Sequence, residues 1–275
     1  MLICVRLWKV REPMPASLLR LLRAIAALAL AVLVAGCLFT PRGLQPLPDD
    51  AKLELNQRGL TLGSPIFVRV FKEENQMEVW LKNASGTYTL FHTYPICNWS
   101  GVLGPKTKEG DRQAPEGFYL VSASQMNPKS KYYLSFNIGY PNAFDRLHGY
   151  TGKYLMVHGG CRSAGCYAIT DDAIKELFIL AREAFTAGQR DFPVNAFPFR
   201  MTAENMAKHA GSPWMPFWEN LKQGYDMFEA THVPPVVGVK EGRYVFFADP
   251  SQIPASFKVS AAASDAAQPR LISGW

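Results

Sequence analysis

His158-Gly159-Gly160-Cys161-Arg162-Ser163-Ala164-Gly165-Cys166 brings an imidazole and a thiol into one short segment. Tyr154-Leu155-Met156-Val157 runs into it as an apolar strand, and Tyr167-Ala168-Ile169 leaves it as another. The pattern reads as strand, tight glycine-rich turn, strand. A thiolate is the reactive form of cysteine, and a nearby imidazole both removes the proton and stabilises the charge. Gly159, Gly160 and Gly165 let the backbone bend where side chains would obstruct a substrate. N–H groups around Gly165 and Cys166 are then expected to face a developing oxyanion. The residue types describe an acyl-transfer site.

His158-Gly159 followed by Ser163-Ala164-Gly165-Cys166 resembles the catalytic signature of the YkuD-type L,D-transpeptidases. The resemblance implies that Cys166 attacks a peptidoglycan stem peptide at an L,D bond, with His158 as base. Ser163, Gly165 and Gly159 would shape the loop and its oxyanion contacts. Two departures narrow the match. The gap between His and Cys is shorter than in most members. Tyr167-Ala168 also stands where many members carry Ile-Arg or Val-Asn, so a common carboxylate-binding arginine is missing and Arg162 is its expected substitute. Both departures fit the YafK-like murein L,D-transpeptidase branch. That branch also suggests Phe136-Asn137-Ile138-Gly139-Tyr140-Pro141-Asn142 with Asp145-Arg146, and Phe197-Pro198-Phe199-Arg200. Tyr140, Asn142 and the loop residue His148 are the further expected substrate contacts. Ala114-Pro115-Glu116-Gly117-Phe118-Tyr119 resembles a Thr-Pro-x-Gly-x-Phe element of the family, and the resemblance as a whole runs from Ile66 to Phe246.

The amino terminus carries an export signature. Arg20 and Arg23 precede the apolar run Ala24 to Val34, which ends in Val34-Ala35-Gly36-Cys37. A basic start, a short apolar stretch and small residues before the cut describe a signal peptide. The run is shorter than the ~20 residues of a spanning helix. Cys37 directly after Ala-Gly resembles a lipobox, so it is the expected lipidation site. Leu38 rather than Asp follows it, which in Gram-negative bacteria implies sorting to the outer membrane, facing the periplasm. Met14 is an alternative start.

Five basic residues against one acidic fall in residues 1–36, so the rest keeps only about +2 of the chain's formal +6. That is no nucleic-acid footprint, which needs a strongly basic patch or stripe. Of the five cysteines, Cys4 leaves with the signal and Cys37 takes lipid. The three that remain allow three arrangements. Cys97 pairs with Cys161 and leaves Cys166 reactive; or Cys161 pairs with Cys166; or His158, Cys161 and Cys166 bind zinc, without the paired spacing of a structural zinc motif.

Along the chain, residues 1–36 are the signal and 37–64 the lipidated cysteine and a proline-bearing tether, with a short helix over Lys52 to Gly59. Residues 65–250 form the catalytic domain, and 251–275, rich in Ala and Ser, a disordered tail. Ile66 to Phe71, Met77 to Leu81 and Thr87 to Tyr94 read as strands, with His92 a structural residue in the third. Gly101 to Gly117 is a long polar loop of the kind that binds ligands. Thr170 caps a helix whose apolar stripe is Ile174, Leu177, Phe178, Ala181 and Phe185. Thr202 to Ala210 and Pro213 to Ala230 are further helices, and Arg243 to Phe247 a final strand. The fold class is α+β, a β-rich L,D-transpeptidase-like core followed by a helical C-terminal extension.

The function expected is a periplasmic, lipid-anchored cysteine acyltransferase in cell wall biogenesis and cell shape, an L,D-transpeptidase working through a Cys166 thioester. A hydrolase cutting stem-peptide or lipoprotein–peptidoglycan linkages is the first alternative. A non-catalytic wall-binding lipoprotein is the second. Partners are peptidoglycan, a wall-attached lipoprotein and, through Cys37, the membrane. No metal or organic cofactor is implied.

Overall fold

In the computed structural model, residues 15–38, 40–254, 257 and 270–272 are described. They divide into two units, Met1–Pro41 and Arg42–Trp275. Within the first, Ala16–Leu38 form α1. Cys37 lies in its last turn, with its side chain outside the described residues, as are Cys4 and Met14. Among the described residues no helix is long and apolar enough to cross a membrane.

The second unit begins inside the segment predicted to be a tether, and the structure corrects that boundary. Arg182 donates to the carbonyls of Gly43 at 2.6 Å and Gln45 at 3.0 Å. Leu47 is buried, and α2 (Asp49–Gln57) buries Ala51 and Leu55. Apolar side chains and one arginine dock a stretch whose prolines alone suggest an extended spacer.

β1 (Ile66–Phe71) is buried at every position, as expected of a strand with neighbours on both sides. The chain reverses through Asn75, at φ 52°, into β2 (Gln76–Lys82), which pairs Ile66 with Leu81 and Phe71 with Gln76. β3 (Tyr88–Asn98) is long enough to pair with β2 at one end and a later strand at the other. Beyond an irregular stretch come β4 (Gly117–Ser122), the short β5 (Met126–Asn127) and β6 (Ser135–Asn137), and α3 (Ala143–Leu147). β7 (Met156–His158) and β8 (Tyr167–Ile169) flank the glycine-rich turn. α4 (Asp171–Thr186) follows, with Thr170 Oγ1 accepting from the Ala173 N–H at 3.2 Å and Asp171 and Asp172 in the first turn, where acids suit the helix dipole. Its buried face includes Ile174, Leu177, Phe178 and Ala181, as the periodicity predicts.

β9 (Asp191–Phe197), α5 (Ala203–Lys208), α6 (Met215–Thr231), β10 (Val236–Lys240), β11 (Arg243–Phe247) and β12 (Arg270–Leu271) complete the unit. The large sheet has the order β4-β9-β1-β2-β3-β8-β7-β6-β5, and the small one β11-β10-β12. The architecture is α+β with a β-rich core, as the sequence indicates. β4, β9 and β10 are absent from the sequence reading. Pro193 obscures β9, because a proline cannot donate to a central ladder. The register resolves this: pairing with β1 starts only at Val194, so Pro193 lies opposite Leu120 of β4 alone. β12 also corrects the disordered tail at one place, where Arg270 and Leu271 pair with Val239 and Gly238.

α6 docks through charge as well as apolar burial. Trp218, Leu221, Tyr225 and Phe228 are buried on it. Arg69 of β1, itself buried, pairs with Glu78 across the β1–β2 ladder at 3.0 Å and with Glu229 of α6 at 2.5 Å. A second buried pair holds the loop between β3 and β4. Lys72 donates to Glu116 Oε1 at 2.8 Å, with neither side chain exposed, and to the carbonyls of Val102, Gly104 and Ala114 at 2.8, 3.2 and 3.1 Å. Glu116 in turn accepts from the Gly104 N–H at 2.7 Å and Trp218 Nε1 at 2.8 Å. Burial pulls the Lys72 ammonium down from its usual range, and Glu116 opposes that fall.

Removing one charge from such a pair leaves the other buried and uncompensated. Glu116→Gln is expected to lose about 3–5 kcal/mol in urea unfolding. The double variant Lys72→Met/Glu116→Gln recovers part of that loss, and additive losses would mean that the two charges are not coupled.

Candidate functional site

β7 and β8 are parallel neighbours, with Val157 opposite Tyr167 and His158 opposite Ala168. Only residues 159–166 connect them, whereas parallel strands ordinarily need a crossover of about a dozen residues or more. The chain makes this return through left-handed backbone at Gly160 (φ 81°), Cys161 (φ 45°) and Gly165 (φ 126°). Gly159 is required for space. A Cβ there would stand 2.4 Å from Asp171 Oδ1 and 3.0 Å from the Tyr132 carbonyl.

Two further devices fix the return. Cys161 is bonded to Cys97, 64 residues away, at the register shift where β3 meets β8. This takes Cys161 out of both the Cys161–Cys166 bridge and the zinc arrangement, and leaves Cys166 as a free, half-buried thiol. Ser163 Oγ accepts from the Cys166 N–H at 2.8 Å and donates to the Cys166 carbonyl at 2.6 Å. The Cys166 N–H expected to face an oxyanion is therefore engaged by Ser163 in this state.

The Val157–Tyr167 register places Met156, His158 and Cys166 on one side of the strand pair, because side chains alternate along a strand. Cys166 Sγ accepts from the Met156 N–H at 3.3 Å and donates to the Tyr154 carbonyl at 3.6 Å. Tyr154 is 69% exposed and at φ 58°. Burial pushes the thiol above its ordinary range, while the Met156 N–H and the Lys106 ammonium pull the other way. His158 is buried, and its Nδ1 lies 2.6 Å from the Gly159 carbonyl. A carbonyl accepts only, so Nδ1 carries the proton and Nε2 holds the lone pair. Burial holds the imidazole below its ordinary value, partly offset by that hydrogen bond. Tyr132 stacks on the ring at 4.7 Å. The resting pair is thus a neutral thiol beside a neutral imidazole with its basic nitrogen unprotonated. Among the described residues no hydrogen bond joins the two.

The other expected contacts divide. Arg162 is exposed on the turn, three residues before buried Gly165. Tyr140 is buried, and its hydroxyl donates to the carbonyls of Lys106 at 3.1 Å and Thr151 at 3.4 Å. Asn142 caps α3: its Oδ1 accepts from the Asp145 N–H at 2.9 Å, and its Nδ2 donates to the Phe118 carbonyl at 2.8 Å and the Tyr244 hydroxyl at 2.9 Å. Its amide makes these bonds within the fold, to the α3 cap and to β4 and β11. Asp145 closes the same cap, and burial pushes its carboxyl up to about 7. His148 likewise ends α3, with Nδ1 2.9 Å from the Phe144 carbonyl and its ring against Phe144 at 4.1 Å. His92 is structural, as expected, between Glu54 at 2.6 Å and Glu176 at 2.5 Å.

Sequence reasoning missed Lys106 and Tyr132. Both lie in irregular segments where a lysine or tyrosine resembles any solvated neighbour, and only the fold brings them to Cys166 and His158.

Residues 65–195 match the YkuD L,D-transpeptidase catalytic domain. The Escherichia coli K12 protein named "Putative L,D-transpeptidase YafK" is 46% identical over 211 residues, covering 77% of this chain and 83% of that protein. Among solved structures, the helical cell shape determining protein Pgp2 of Campylobacter jejuni is 19% identical, with a TM-score of 0.40 over 64% of this chain and 67% of its own. Bd1075 of Bdellovibrio bacteriovorus is 22% identical, with a TM-score of 0.35 over 60% and 62% of the two chains.

The Cys97–Cys161 bridge closes a loop of 64 residues, so its removal frees the unfolded chain. Cys97→Ser/Cys161→Ser is expected to lose about 4 kcal/mol in urea unfolding by the loop-entropy relation. Unchanged stability would show that the bridge does not restrict the unfolded chain as that relation requires.

Proposed function

The chain belongs to the YkuD L,D-transpeptidase family, and from that premise we propose that it is a lipid-anchored periplasmic cysteine acyltransferase acting on peptidoglycan stem peptides. The observation that carries the reading is the free Cys166 thiol, on the same side of the β7–β8 pair as His158, whose Nδ1 is held by the Gly159 carbonyl. A bond from Nδ1 that leaves Nε2 basic is the arrangement a general base requires.

The reaction begins when substrate draws the sulfur away from the Tyr154 carbonyl. His158 Nε2 takes the thiol proton as sulfur bonds to a stem-peptide carbonyl carbon. The C–N bond breaks, the proton passes from His158 to the departing amine, and an acyl thioester remains on Cys166. In transpeptidation an acceptor amine attacks the thioester, the C–S bond breaks as the new C–N bond forms, and the amine's spare proton passes through His158 to the released sulfur. Lipid on Cys37 and retention at the outer membrane belong to the same proposal, supported by Val34-Ala35-Gly36-Cys37 and the absence of Asp at position 38.

The test incubates the full-length protein in detergent with peptidoglycan, beside Cys166→Ala and His158→Ala, and follows muropeptides by mass spectrometry. Cross-linked or amino-acid-exchanged products are expected, with activity lost in the Cys166 variant and reduced at least about 100-fold in the His158 variant. Shortened stems or released lipoprotein peptide without new cross-links would assign water as the acceptor. Full activity in both variants overturns the catalytic reading.

A pH profile gives an independent check. His158 must be neutral to act, and its proton affinity is lowered by burial. Activity is therefore retained as pH falls past about 6.5, the ordinary histidine value, and is lost only when the pH reaches the lowered one. An acid limb of kcat/KM above 6.5 would contradict this assignment of the base.

A further inference from the structure

The two ends of β1 border different places. Lys72, just past its last residue, donates to the loop that reaches the turn before β8. Pro65, just before its first residue, lines a cavity of about 550 Å³. The six residues of β1 put about 20 Å between these ends. Register assembles the cavity floor. The Pro65 carbonyl accepts from the Lys82 N–H at 2.9 Å, and Lys82 pairs with Tyr88. Counting back from Val68 opposite Val194 sets Pro65 level with Asp191. Asp191, Pro65, Lys82 and Tyr88 therefore form one row across β9, β1, β2 and β3, and Leu120 of β4 completes the floor. Alternation puts Lys82 on the same side as Trp80, and Trp80 and Tyr88 both meet the aromatic cluster of Phe67 and Phe228 on the α6 side. Gln189 fixes the segment before Asp191 to β1: its Oε1 accepts from the Ile66 N–H at 2.9 Å, and its Nε2 donates to the Ile66 carbonyl at 3.0 Å.

The polar groups of this row lack partners. Tyr88 is only 4% exposed, yet its hydroxyl has no hydrogen-bond partner among the described residues. Burial alone pushes that hydroxyl up to about 12. A buried hydroxyl without a bond costs free energy, and this residue lines a cavity that a ligand can fill. Asp191 is half-buried and makes no side-chain hydrogen bond or ion pair among the described residues. Burial raises its carboxyl, and the charge of the adjacent Arg190 pulls the other way. Lys82 and Arg190 are exposed at the rim, neither within ion-pair distance of a carboxylate among the described residues. Pro65 keeps Asp191 and Lys82 two strands apart, roughly 10 Å between backbones, so they do not neutralise each other. An anion alone would face Asp191 and a cation alone would face Lys82 and Arg190. A ligand that carries both signs satisfies each.

We propose that this cavity is a second, non-catalytic site for a zwitterionic peptide end: Asp191 takes its ammonium, Lys82 and Arg190 its carboxylate, and the Tyr88 hydroxyl a peptide carbonyl. The identity of the peptide rests on the function proposed above, since a wall stem that is not cross-linked carries a free amine and free carboxylates. The volume suits a short peptide, and the few polar groups around an apolar floor are the usual make-up of such a pocket. Each charged contact is a charge-assisted hydrogen bond, and Tyr88 regains a partner. A stem held at the far end of β1 keeps the enzyme on the polymer while Cys166 acts on another stem, which raises the effective concentration of the second.

Titration calorimetry tests this with the tripeptide L-alanyl-γ-D-glutamyl-meso-diaminopimelate and the full-length Cys166→Ala protein in detergent, so that nothing turns over. Added to that parent, Asp191→Asn and the pair Lys82→Gln/Arg190→Gln are each expected to weaken binding about 10-fold, and Tyr88→Phe about 5-fold. Acetylating the amines of the probe removes the ammonium from the other side of the contact. It is expected to weaken binding to the parent about 10-fold and to add no further loss in Asp191→Asn. No binding to the parent, or affinities within about twofold of it in all three variants, overturns the proposal. So does an acetylation loss as large in Asp191→Asn as in the parent. Thermal unfolding establishes that the variants are folded. If Asp191→Asn does not fold, the acetylated probe on the parent carries the charge test, and Tyr88→Phe, which removes only a hydroxyl without a partner, carries the location. The readout needs no catalysis, so its failure leaves acyl transfer standing, and absence of muropeptide products leaves the measured binding standing.

Discussion

Two parallel strands joined by eight residues, 159–166, set the terms for the rest of the site. Ordinary crossovers are longer and usually contain a helix. A connection this short has no room for one, so it turns through positive φ at Gly160, Cys161 and Gly165. Local strain of this kind persists only where the surroundings over-determine it. Here the disulfide to Cys97 and the paired Ser163 bonds do so. The return also has a chemical result. It brings Cys166, the residue before β8, level with Met156 at the start of β7, so that one register places the thiol and the imidazole on the same side.

A second constraint, on the loop between β3 and β4, is electrostatic in origin. The loop between β3 and β4 has almost no ladder to hold it, and its carbonyls need donors if they are to be buried. Lys72 supplies several of these donations at once, and Glu116 neutralises it while receiving from Gly104 and Trp218. Gln113 bridges the loop again, accepting from the Val102 N–H at 2.9 Å and donating to the carbonyls of Val102 and Gly104. Buried charge is thus spent on shaping a loop rather than on stability alone. The same loop reaches the turn before β8, where the Gln113 carbonyl lies 3.8 Å from the Cβ position of Gly165 and the Pro115 carbonyl accepts from the Tyr167 hydroxyl.

Much of this was legible in the sequence, for identifiable reasons. The strand–turn–strand around Cys166 and the capped helix after Thr170 are local patterns, and local patterns survive in sequence. The pairing of Cys97 with Cys161 was one of three arrangements left open, because connectivity depends on which strands become neighbours. Asn142 and Tyr140 were visible as a motif but not as scaffold, since only the fold supplies the Phe118, Tyr244 and Lys106 partners that occupy them. β9 was hidden by Pro193, whose tolerance depends on where pairing with β1 begins. The docking of residues 42–47 was hidden because Arg182, which holds it, lies far away in sequence.

A nucleophilic cysteine can be stored as a thiolate–imidazolium pair or as two neutral groups. Burial drives this site to the second state from both sides, raising the thiol and lowering the imidazole. A neutral thiol is a poor target for oxidants, because the thiolate is the species they attack. On the proposed reading that matters in an oxidising compartment, where a permanent thiolate beside a strained disulfide-bearing turn would invite exchange. The sulfur's contact with the Tyr154 carbonyl completes the resting state, and a substrate carbonyl entering the cleft has to displace it. On the proposed reading, proton transfer to His158 accompanies formation of the new bond, so the charge exists while substrate is present and not before. On that reading burial and tautomer act on one event, at two side chains that the short β7–β8 return places on the same side.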